Sequence, residues 1–344
     1  MNVVLYIPSS LYAIDVNRMF VDTLAYALGD SATIIHNGKF IKKDHTILHI
    51  FGCADYTALR IMHKAASRKI PTLLSPIGTL QPWACDSITK TVLKTITFQK
   101  KMMVGSGAIH VWSKAEADRV SAMVSGCNMA YIPNCIVTNS ILPDEMSRQF
   151  HVLYQKIIDS SASLLVDSRL REVVYLLLQV GLDATLLSKR ETVTLIEEKA
   201  NACSPSDWRT ITIYAYNEGI TDYIRTAVKQ LHLTVTLADA NAIDRFATVS
   251  PYSGKSLITA QNVKAAEMYL AIHNLLRKID ARQESLANYA EMFTLLRRTD
   301  YDERELVDLL RKHRIIGPSR RLMGVLQEIT GLSEGFIPFG LYNR

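Results

Sequence analysis

Short β-rich runs alternate with helical periods along the first 140 or so residues. Val3–Ile7, Ala32–His36, Thr46–Gly52, Pro71–Pro76, Ala108–Ser113 and Ala130–Asn134 are strand-like in length and composition. Between several of them, Asp15–Leu28, Asp55–Ser67, Asp86–Met103 and Lys114–Val124 read as helices. Nearly continuous apolar strands separated by helices predict a parallel sheet covered on both faces. The right-handed crossover rule then predicts an α/β fold: a Rossmann-like, doubly wound layer. Ser113-Lys-Ala-Glu116 reads as a capping box, the serine accepting from the third helical N–H and the glutamate reaching back.

Beyond about residue 145 the pattern changes. Met146, Phe150, Leu153 and Ile157 recur at helical spacing, as do Met268, Ile272, Leu275, Leu276 and Ile279. Leu322, Val325, Leu326 and Ile329 repeat it. Only Thr210–Tyr216 ("TITIYAY") and Leu233–Ala238 ("LTVTLA") read as strands. The chain is thus expected to divide into a Rossmann-like domain over 1–140, a divergent α/β or helical middle region over 145–250, and a helical C-terminal region over 256–344. Turn-rich Ser250–Ser256 is the expected linker.

Composition narrows the function classes. At 344 residues, 48% hydrophobic and 21% charged, the chain suits two ordinary globular domains, and disorder is not indicated. No apolar run approaches a membrane span, and "MNVVLYIPSS" reads as a first strand, so a cytoplasmic location is expected. Five scattered cysteines without a C-x-x-C pair predict reduced thiols and no structural zinc. No cofactor or metal is expected. The net charge of +6 favours anionic partners only mildly: by charge alone a phosphate-bearing substrate, a peripheral contact with a membrane surface or nucleic acid would fit, and so would no such partner. Nucleic acid is not expected: basic Arg311–Arg321 follows Asp300, Asp302, Glu303, Glu305 and Asp308, and no helix-turn-helix code is present. Oligomeric state stays open.

In open parallel sheets the ligand site lies at the carboxyl ends of the strands. That rule points to the loops Pro8–Tyr12, Gly52–Asp55, Pro76–Trp83 and Pro133–Thr138. "LLSPIGTLQPWACDSITK" (Leu73–Lys90) is the most particular of these segments, an apolar run ending in Pro-Ile-Gly and a Pro-Trp pair. His36, His49 and His110 lie in strand-like runs and read as core histidines rather than bases. Lys90, Lys94, Lys100 and Lys101 read first as a solvated helix face.

"LLSPIGTLQPWA", a lysine-bearing helix, "AIHVWSKAEADRV" and "YIPNC" resemble, in order and spacing over about residues 45–138, the N-terminal domain of family-4-type, retaining GT-B glycosyltransferases. The matching positions are Pro76, Gly78, Lys90 or Lys94, Ala108, His110, Ser113, Glu116, Ile132, Pro133 and Asn134. The resemblance implies transfer of a sugar from a nucleotide-sugar to a glycan or lipid-linked acceptor. It implies an acceptor cleft formed by Ser9, Ser10, Tyr12, Gly52, Asp55, Pro76, Gly78, Thr79, Trp83 and Asn134, with Trp83 packing on a sugar ring or lipid-linked acceptor. Lys90, Lys94 and Arg169 are the phosphate candidates; no catalytic residue is assigned. Ile77 stands where the family often has histidine, and Cys135 follows Asn134 where it has glycine. The arginine–lysine diphosphate clamp and the E-x7-E motif are not found; "DSRLREVV" (Asp167–Val174) echoes only the arginine. The alternative is therefore a non-catalytic relative, a binding or scaffold protein in polysaccharide synthesis.

Overall fold

The computed structural model describes residues 1–37, 46–53, 56–81, 98–138, 140–247 and 264–339. Asp55, Trp83, Lys90, Lys94 and the Ser250–Ser256 segment lie outside them. The chain divides into two compact units, Met1–Leu165 with Asp244–Ala247, and Val166–Ile243 with Thr248–Arg344.

The first unit is α/β. Its strands are β1 (Val3–Tyr6), β2 (Ala32–Ile35), β3 (Ile47–Phe51), β4 (Thr72–Ser75), β5 (Ala108–Val111) and β6 (Met129–Tyr131). They pair all in parallel in the order β2-β1-β3-β4-β5-β6, compatible with a Rossmann-like arrangement. Helices α1 (Ser9–Tyr12) and α2 (Asp15–Leu28) follow β1, and α3 (Tyr56–Ser67) joins β3 to β4. Helix α4 (Lys100–Gly105) precedes β5, α5 (Lys114–Met123) joins β5 to β6, and α6 (Pro143–Ser160) and α7 (Ala162–Leu165) close the unit.

Strand alternation sorts the core into two layers. Val4, Tyr6, Leu48, Ile50, Leu74, Ile109 and Val111 pack with α3, α4 and α5. Val3, Leu5, Ile47, Phe51, Leu73 and Ala108 pack with Phe20, Val21 and Leu24 of α2 and with Phe150, Tyr154 and Ile157 of α6. Residues 244–247 join this unit through Lys156, which pairs with Asp244 (2.8 Å) and lies over the Phe246 ring (4.8 Å).

Among the described residues, the regular elements of the second unit are helical. These are α8 (Ser168–Leu182), α9 (Arg190–Asn201), α10 (Pro205–Asn217), α11 (Thr221–Gln230), α12 (Ala265–Asp280), α13 (Leu286–Arg298), α14 (Glu303–Lys312) and α15 (Ile316–Thr330). The strand expected at Thr210–Tyr216 is instead the end of α10, and Leu233–Ala238 has no regular structure. β-branched Thr210, Ile211, Thr212 and Ile213 suggested extension, but a local signal prevails. Ser204 and Asp207 form a reciprocal capping box with Pro205 in the first turn, a strong helix start. Trp208, Ile211 and Ala215 then share one buried face. The middle and C-terminal regions, read separately from sequence, contribute to one core, because Leu170, Val173, Leu177 and Leu178 cluster with Met268, Ile272, Leu322 and Leu326.

Candidate functional site

Parallel pairing puts the carboxyl ends of all six strands on one edge. The chain reverses its lateral direction between β1 and β3, the topological switch point where open sheets receive ligands. Much of that point is occupied by the protein itself. A Cβ on Gly52 (φ +84°) would collide with the Leu11 side chain and meet Thr79 Cγ2 at 3.6 Å. The Thr79 hydroxyl donates to the Pro76 carbonyl (2.6 Å) and accepts from the Cys53 amide (3.1 Å). Thr79 therefore braces the loops rather than facing outward.

The turn after β4 is strained and pinned. Ile77 and Gly78 both take left-handed backbone, φ +46° and +81°. A β-branched residue is an outlier there, and such strain persists only where its surroundings over-determine it. The Ile77 side chain is buried in the α2/α6 layer, which anchors the turn. Glu116 supplies the other restraint: its Oε1 accepts from the Gly78 amide (2.9 Å) and its Oε2 from the Trp112 amide (3.3 Å). This corrects the capping-box reading. The Ser113 hydroxyl does accept from the Glu116 amide (3.2 Å), but the carboxylate leaves the helix to join β5 to the Ile77–Gly78 turn. Burial pushes the Glu116 pKa up, against the lowering effect of those two amides. No described atom lies within 4 Å of a Cβ position at Gly78, although its amide is held by Glu116 and its carbonyl accepts from the Gln81 amide (3.1 Å).

The other candidates take different places. Ser9 and Ser10 are exposed on α1. The Tyr12 hydroxyl donates to Asp22 (2.7 Å), which raises its pKa, and its ring lies 4.8 Å from that of His36. His36 is a surface residue just after β2, not a core one. Asn134 follows β6, 2% exposed; its Oδ1 accepts from the Ile136 amide (2.8 Å), while Nδ2 has no partner among the described residues. Arg169 lies in the helical unit, where it pairs with Asp207 (2.9 Å) of the α10 capping box. Pairing of this kind engages the guanidinium locally. The four described cysteines form no disulfide with one another, no group of metal-ligating side chains occurs among the described residues, and none of the helices searched is long and apolar enough to cross a membrane.

Beneath the edge runs a buried polar chain. His49 Nδ1 lies 2.8 Å from the Tyr154 hydroxyl, and its Nε2 lies 2.6 Å from Ser75 Oγ. Ser75 Oγ is 2.7 Å from His110 Nδ1, and His110 Nε2 is 2.9 Å from the Ile132 carbonyl. Burial drives the His110 pKa down to about 4 and that of His49 well below its ordinary value, with His110 adding to the latter. Burial likewise raises the Tyr154 phenol. The two histidines are satisfied core groups, as their strand positions suggested. Ser75 and Tyr154 escaped the sequence reading; the signals were a serine closing an apolar strand and a phenol beside the Phe150–Leu153–Ile157 stripe.

Comparisons with protein-family models, curated proteins and solved structures found no match.

Proposed function

We propose that this chain is a non-catalytic relative of retaining GT-B glycosyltransferases that binds a glycan or lipid-linked saccharide at the carboxyl edge of its sheet. The observation carrying this reading is the Ile77–Gly78 turn: strained, held by Glu116, and with no described atom within 4 Å of a Cβ position at Gly78. A turn of that kind is prepared for a ligand at a definite cost in backbone energy. The donor side supports the non-catalytic form. Arg169, the diphosphate candidate, is already paired with Asp207, and Asp207–Asp239 forms helices and irregular chain rather than a second sheet. Sugar transfer must stabilise a departing nucleoside diphosphate, and losing one preorganised donor to such charge costs about 3–4 kcal/mol.

Calorimetry of the full chain against UDP- and GDP-sugars and neutral oligosaccharides tests the reading. Oligosaccharide binding is expected and should be lost in Gly78→Val with the fold intact by circular dichroism; nucleotide-sugar binding should be weak or absent. Micromolar nucleotide-sugar binding abolished by Arg169→Ala would replace this reading with an active transferase.

A further inference from the structure

The chain Tyr154–His49–Ser75–His110–Ile132 admits one arrangement of protons. The Ile132 carbonyl only accepts, so His110 carries its hydrogen on Nε2. A neutral His110 then accepts at Nδ1, and the Ser75 hydroxyl must donate to it. Ser75 Oγ therefore accepts from His49 Nε2–H, and His49 Nδ1 accepts from the Tyr154 hydroxyl. Four hydrogens serve four contacts. A fifth would meet a hydrogen already in place: protonating His110 turns the Ser75 hydrogen away, and protonating His49 turns the Tyr154 hydrogen away.

The surroundings offer little compensation. His49, Ser75, His110 and Tyr154 are each at most 1% exposed. The chain joins β3, β4, β5 and the segment after β6 to a single helix, α6. Rings enclose it: Phe51 of β3 lies 4.0 Å from His49, Phe150 of α6 4.7 Å from His110, and Phe20 of α2 6.2 Å from His110. Among the described residues, the titratable groups facing each imidazole are the other imidazole, 6.4 Å away, and, for His49, the Tyr154 phenol. Among the described residues no carboxylate acts on either.

We propose that these four side chains form an acid-released latch, holding α6 on the sheet while both histidines are neutral and letting it go when either is protonated. The sign follows from linkage. The unfolded histidines take up protons near pH 6.5 and the buried ones well below it, so stability is full above that pH and falls as the pH drops. Each histidine that charges on opening should raise the opening constant of α6 about tenfold per pH unit below about 6.5.

Two measurements on the full chain test the latch. Long-range nitrogen–proton spectra at pH 7 should show both imidazoles protonated on Nε2 with Nδ1 bare. Hydrogen exchange, corrected for intrinsic rates, should show α6 losing protection between pH 6.5 and 4.5 while α8 keeps its own. Tyr154→Phe should leave α6 less protected at pH 7. An Nδ1–H tautomer at either ring, or α6 protection that does not change over that pH range, would overturn the proposal; neither observation depends on a variant folding.

Discussion

Ser75 in the sheet unit and Ser319 in the helical unit are both fully buried, yet they are satisfied in different ways. Ser75 bridges two histidines, 26 and 35 residues away in sequence. Ser319 bonds back to the Ile315 carbonyl one turn earlier (2.8 Å), as Thr212 does to Trp208 (2.8 Å) and Thr330 to Leu326 (2.6 Å). In the sheet unit, long-range polar pairs tie separate strands and helices; in the helical unit these hydroxyls close on their own helices around an apolar core. A network of long-range buried polar groups demands one arrangement of the chain, whereas local back-bonds demand none beyond the helix itself. The helical unit has long-range polar pairs too, Glu218 with the Leu286 amide and Arg297 with Asp183, but these are only partly buried.

That contrast predicts where each unit breaks. One of the two largest effects is expected at Gly181, where α8 meets α11. A Cβ there would lie 2.8 Å from the Tyr223 carbonyl carbon and 2.9 Å from its Cα, and backbone cannot swing aside as a side chain can. Gly181→Ala should cost about 2–3 kcal/mol despite the gain in helix propensity, measured by denaturant unfolding. An unchanged midpoint would mean that the helical unit is packed more loosely than described.

The serines give the sharpest comparison. Ser75→Ala removes the partner of two buried ring nitrogens and should cost about 2–3 kcal/mol. Ser319→Ala removes only a back-bond and should stay within about 0.5 kcal/mol. Equal costs would erase the distinction between the units.

Glu116→Ala should cost about 1 kcal/mol of global stability, between the two serine substitutions. Removing a buried carboxylate relieves desolvation while freeing two amides. Its signature is local: hydrogen exchange at the Gly78 and Trp112 amides should accelerate while the β1 and β3 amides hold. Uniform acceleration would show that Glu116 supports the whole sheet rather than one turn.

What the amino-acid sequence determined by itself is the order of elements in the first unit. Each predicted strand overlaps an observed one, and Asp15–Leu28 is helical over the predicted span. Hydrophobic period and end signals are local properties, set by neighbours within one or two turns. The error at Thr210–Tyr216 was also local in origin, a β-branched run weighed above the Ser204–Asp207 cap that was legible beside it. Partners across the fold are another matter. That Glu116 reaches Gly78, that Arg169 meets Asp207, and that Ser75 stands between two histidines were decided only when strands and helices packed. Sheet register and helix docking bring residues tens of positions apart within 3 Å, and no pattern along the chain encodes which of many compatible side chains will meet there.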